Sequence, residues 1–142
     1  APEASSRYPS LEVLMATATA TFTRNKTKMD VSERYVTHYG TVAIQASPAT
    51  YATGGLTLDL SAVLSNDLPE DVNIYFDAPT GWLLRYSTGS TLKNGKVVLY
   101  GYVPSDATAG TLPLAEFDNS TAIPAAVSGG TIKISFKTRK LR

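Results

Sequence analysis

The chain of 142 residues contains no cysteine, which excludes disulfide bracing and thiolate metal sites. Stability is left to burial, hydrogen bonding and association with other chains. There is one histidine, His38. A multi-histidine metal centre is therefore excluded, and a hydrolytic triad built on His38 would lack its nucleophile, because no G-x-S-x-G turn occurs. No Gly-rich phosphate loop is present, and no apolar run approaches the roughly 20 residues that span a bilayer. An excess of one charge is also missing: 13 basic residues face 12 acidic ones, for a net +1, unlike a protein that neutralises phosphates. These absences argue against an enzyme, a cofactor carrier, a nucleic-acid binder, a membrane protein or a small-molecule site. The chain starts at Ala1, as after removal of an initiator methionine or of a leader.

What is present is a β pattern behind a different beginning. Ala1 to Ser10 is small and polar, broken by Pro2 and Pro9, and leads into an apolar cluster of Leu11, Val13, Leu14 and Met15. Ala16 to Thr23 alternates small residues with threonine, an extended pattern with a weak inward face. Arg24 to Asp30 is polar and reads as a loop. Residues 1–30 are thus expected to form an extended N-terminal arm, and residues 31–142 a β-rich body with a basic C-terminal tail. Twenty extended residues reach about 66 Å, whereas a compact globule of this length is about 37 Å across. Burying the four apolar anchors would contribute roughly 1.5 to 3 kcal/mol each, against roughly 1 to 2 kcal/mol per residue to fix the backbone. Such an arm needs a partner.

From Val31 onward the strand signals are regular. Tyr35 to Gln45 alternates, with Gly40 as an expected bulge, and Gly54-Gly55 marks a turn before Leu56, Leu58 and Leu60. Leu60 to Leu64 suggests a short helical turn capped by Ser61. Val72 to Phe76 is followed by the turn Pro79-Thr80-Gly81 and by Trp82 to Tyr86. Asn94-Gly95 reads as a type I′ hairpin turn leading into Lys96 to Val103. Ile132, Ile134 and Phe136 alternate with polar residues in a half-buried strand. The fold class is all-β, an antiparallel sandwich or barrel.

Four features carry possible function. Asn66, Asp67, Glu70 and Asp71 offer oxygen ligands, but at no EF-hand spacing and around Pro69, so an exposed acidic turn is the better reading. His38 reads as a surface or strand-packing residue. Trp82, Tyr86, Tyr100 and Tyr102 would make a platform for sugars or bases if exposed, and ordinary cross-strand packing if not. Finally, Lys133, Lys137, Arg139, Lys140 and Arg142 end the chain without an acid, while eight acids lie between Thr57 and Asp118. That asymmetry suits electrostatic docking on an acidic neighbour.

The segments Arg34-Tyr35-Val36-Thr37, Tyr51-Ala52-Thr53-Gly54-Gly55, Gly81-Trp82-Leu83-Leu84-Arg85-Tyr86 and Asn94-Gly95-Lys96-Val97 together resemble head decoration (cement) proteins of tailed bacteriophages. With the long arm and the lack of cysteine, the chain is most similar to those of phages infecting thermophilic bacteria. The match spans about Arg34 to Thr138 and departs from the family in its basic end and long arm. The resemblance implies a virion structural protein on the outer capsid surface, made in the host cytoplasm. It implies a homotrimer bound to the major capsid protein at local three-fold positions, with arms clamping neighbouring subunits. Arm contacts would then come from Tyr8, Pro9, Leu11, Val13, Leu14, Met15 and Phe22. The alternative is a carbohydrate-binding or adhesin-type β-sandwich of a secreted protein.

Overall fold

A computed structural model describes residues 16–101 and 114–140. The chain is an all-β sandwich. Its strands are β1 (Ala20–Val31), β2 (Tyr35–Ile44), β3 (Leu56–Leu58), β4 (Glu70–Phe76), β5 (Trp82–Ser87), β6 (Gly95–Gly101), β7 (Ala115–Glu116) and β8 (Ile132–Arg139). A 3-10 turn at Ser61–Val63 and a short helix, α1 (Ala125–Ser128), interrupt them. One sheet has the order β1-β2-β8-β4; the other has the order β3-β6-β5, with β7 on β6. All strand pairs are antiparallel. The period-2 pattern of β8 turns Ile132, Ile134, Phe136 and Thr138 inward and its lysines outward. Ile132, Ile134 and Phe136 meet Leu58, Leu60, Val97 and Leu99 in one core.

The start of the body differs from the sequence expectation. Residues 16–30 are not arm. Ala18 and Ala20 are buried in the chain's own core, and β1 pairs with β2 from Ala20↔Ile44 to Val31↔Val36. Arg24 to Asp30, read as a loop, belongs to β1 with a register shift between Arg24 and Met29. The reason is local. A turn of three residues, held by Ser32 N–H to Tyr35 O at 2.8 Å, folds β1 onto β2 and covers an otherwise unpaired edge. The alanines that make a poor anchor allow close packing, and the polar residues are those of an exposed edge strand. The irregularity therefore lies in β1, at residues 25–28 opposite Tyr39, and not at Gly40 itself. A Cβ on Gly40 would collide with the Phe22 ring and the Thr23 carbonyl, so glycine is there to admit Phe22.

Three further details correct the reading. The β5–β6 hairpin exists, but its strands join through residues 88–94 rather than a two-residue turn at Asn94-Gly95. Leu92 is buried, 3% exposed, and its carbonyl accepts from Leu60 N–H at 2.8 Å, which requires a longer loop. Asn94 instead bridges that loop, accepting from Thr91 N–H and donating to Ser90 Oγ. The 3-10 turn is capped by Asp59, whose Oδ1 accepts from Ser61 N–H at 2.8 Å, rather than by the Ser61 side chain. The basic "tail" is largely β8, an inner strand of its sheet. At Gly54 and Gly55, with φ of +93° and +111°, the turn before β3 does need glycine.

Candidate docking interface

The aromatic hairpin does not form an exposed platform. Trp82, Leu84 and Tyr86 point inward and pack against the core. Trp82 meets Phe117 edge to face at 5.3 Å, lying over Gly101, where a Cβ would overlap its ring. Tyr100 lies on the opposite face of β6 and is half-buried; Tyr102 falls outside the described residues.

Among the arm residues, Tyr8, Pro9, Leu11, Val13, Leu14 and Met15 also fall outside the described residues. Phe22 is placed in the body, where its ring packs against Phe136 at 5.7 Å and 64°, and so serves the chain's own core. Of the basic residues, Lys133 pairs with Asp77 at 3.1 Å and Lys137 with Asp71 at 3.5 Å. Both pairs are solvent-exposed and contribute at most about 1 kcal/mol. Two charges of the basic end are thus met within the chain, because β4 lies beside β8. Arg139 and Lys140 remain exposed at the end of that strand. Arg142 lies outside the described residues.

The structure adds a site that the sequence does not suggest. Burial falls along the inward side of β1, from Ala20 at 9% exposed to Met29 at 53% and Val31 at 55%. Register places Met29 opposite His38 and Val31 opposite Val36, so these apolar side chains belong to the core-facing side of the sheet. At this end it is open. The result is a groove of about 250 Å³ lined by Arg24, Met29, Val36, His38, Val63 and Leu64. Leu64 forms its lip, 81% exposed and held at φ 57°, a left-handed conformation that costs a leucine roughly 1 to 2 kcal/mol. On its other side a wider depression of about 650 Å³ is lined by Ser61, Asn66, Thr91 and Lys93.

His38 sits at the groove's base, 4% exposed. Its Nε2 shares a hydrogen bond of 2.9 Å with Thr138 Oγ1, and its ring packs on Phe136 at 5.3 Å. Its Nδ1 is buried without a partner. Burial holds its pKa below the ordinary 6.5, and the charge of Arg24 lowers it further. This is a strand-packing histidine in its neutral form. No signal in the sequence marks the groove, because it arises where one sheet outruns the other.

No protein-family model, curated protein or solved structure matches the chain.

Proposed function

We propose that this protein is a capsid decoration protein of a tailed bacteriophage. It binds the major capsid protein on the outer surface of the icosahedral shell as a homotrimer and stabilises the shell through arms that clamp neighbouring subunits. The observation that carries the reading is the open apolar groove at the Met29 end of β1. The body begins at Ala16, whose carbonyl accepts from Thr50 N–H at 3.0 Å, beyond the Ala20 end of β1. The groove lies at the other end, where Met29 faces His38. From the level of Ile44 to that of His38 is six residues of β2, or about 20 Å at ~3.3 Å each. The described residues leave that groove open, with Met29 and Leu64 exposed for a neighbouring subunit to cover.

Exposed leucine and methionine around a groove of this kind favour association, and closed symmetry lets three modest contacts act together. Light scattering at micromolar concentration should return three chains per particle, and the protein should attach to purified phage heads. A monomer at every concentration, or failure to attach, would overturn the proposal.

A further inference from the structure

The outward face of the β1-β2-β8-β4 sheet carries a second groove, of about 270 Å³, unrelated to the apolar one. Its floor follows from strand register. Tyr39, Ser135 and Asn73 form one row across β2, β8 and β4, and Thr41, Lys133 and Tyr75 form the next. One wall is the irregular part of β1, where Asn25 to Lys28 bulge beside Tyr39 and Asn25 Oδ1 accepts from the backbone and side chain of Thr27 at 3.0 and 2.8 Å. Lys28 Nζ lies 4.2 Å from the centre of the Tyr39 ring, and the Tyr39 hydroxyl donates to Asp30. The opposite wall is Tyr75, 45% exposed.

The chemistry of this lining is one-sided. It presents ammonium groups (Lys28, Lys133), amides (Asn25, Asn73) and hydroxyls (Thr41, Ser135), but no carboxylate. Nearby Asp30 and Asp77 are engaged by Tyr39 and by Lys133. Tyr75 supplies an open ring of the kind on which the C–H face of a pyranose packs. From Tyr39 to Tyr75 is two strand spacings across and two residues along, about 12 Å, so the ligand is extended. The volume sits at the small end of ligand sites, roughly 300 Å³ and above, which fits a chain lying across the face rather than a molecule enclosed in it.

We propose that this face binds an acidic polysaccharide, a chain of uronic-acid-type sugars that stacks one ring on Tyr75 and sets one carboxylate against Lys28 and another against Lys133, displacing the exposed pair of Lys133 with Asp77. Asn25, Asn73 and Ser135 bond its hydroxyls. The site does not depend on the capsid reading, because it lies wholly within one body and uses none of the residues of the apolar groove.

The test is titration of the full chain with trigalacturonate, followed by calorimetry and by amide NMR shifts, with maltotriose as the neutral comparison. Trigalacturonate is expected to shift amides around Tyr39, Asn73 and Tyr75 and to bind at least tenfold tighter than maltotriose. Tyr75→Ala should weaken binding at least tenfold. Lys28→Ala should weaken it several-fold at low salt, with the difference vanishing near 1 M salt, where screening acts within about 3 Å. Both side chains are exposed, so neither change touches the core. No binding of trigalacturonate up to about 10 mM, or undiminished binding by Tyr75→Ala, would overturn the site. Equal binding of maltotriose would overturn its assignment to acidic sugars.

Discussion

The hydroxyl of Tyr51 donates to Glu116 Oε1 at 2.8 Å across 65 positions of sequence and accepts from Leu99 N–H at 3.2 Å. The same carboxylate oxygen accepts from Gly54 N–H at 2.6 Å. One buried tyrosine, 1% exposed, thereby ties the glycine turn before β3 to β6 and β7. Burial pushes its pKa well above the ordinary range, so it stays protonated as a donor at every physiological pH. Tyr51→Phe should lower folding free energy by roughly 1 to 3 kcal/mol, because the Leu99 amide loses its acceptor in a dry site. A denaturant midpoint that falls without a change of slope is the expected result.

Tyr86 should behave in the opposite way. Its hydroxyl is buried without a partner, so Tyr86→Phe removes an unsatisfied group and should leave stability unchanged or raise it by up to about 1 kcal/mol. Gly95→Ala should cost about 1 to 3 kcal/mol, since a Cβ there would overlap the Tyr86 ring. Thermal unfolding of the two variants should move in different directions or, at the least, separate clearly.

His38 makes stability depend on pH. The unfolded imidazole titrates near 6.5, whereas the folded one resists protonation through burial and the charge of Arg24. Arg139 also lines its groove. The folded pKa being the lower, stability is full above about pH 7 and falls as pH drops below 6.5, until the folded group also titrates. His38→Gln should flatten the dependence over that window. A slope below pH 6.5 identical in both proteins would assign it to other groups.

Leu64 tests the apolar groove independently of folding. Leu64→Asn replaces an exposed leucine at positive φ with a residue that tolerates that conformation. The body should be as stable as before or more stable by about 0.5 to 1 kcal/mol, while trimer formation and attachment to heads weaken. Parallel unfolding and sedimentation measurements separate the two effects, and unchanged attachment would remove Leu64 from the interface.

The arm boundary gives the sharpest contrast. Removing residues 1–15 leaves every described strand in place, so the body should unfold as before while attachment to heads is lost. Removing residues 1–23 also deletes the first four residues of β1, exposing part of the β2 edge and removing the contacts of Ala18, Ala20 and Phe22. That deletion should destabilise the body itself by several kcal/mol, the cost of losing buried apolar side chains. Equal unfolding midpoints for the two deletions would mean that β1 contributes little to the body.

The strands of the body were legible because alternation is a local property. Ile132, Ile134 and Phe136 must share a face in any extended chain, and Leu56 and Leu58 likewise. The all-β class, the hairpin of β5 and β6, the glycine turn before β3 and the shared face of Trp82 and Tyr86 follow from such patterns, whereas the inward turn of that face does not. Sequence alone could not say that Ala16 to Asp30 belongs to the body. Its weak inward face is adequate only because β2 offers an edge a three-residue turn away. Nor could it say that Lys133 and Lys137 meet Asp77 and Asp71, since that depends on β4 pairing with β8 across some sixty residues. Both grooves are tertiary in the same sense. One exists because the first sheet outruns the second beyond His38, the other because a shift of register lifts Asn25 to Lys28 beside a row of residues drawn from three strands. Periodicity determines which way a side chain points, but only the pairing of distant strands decides what it faces.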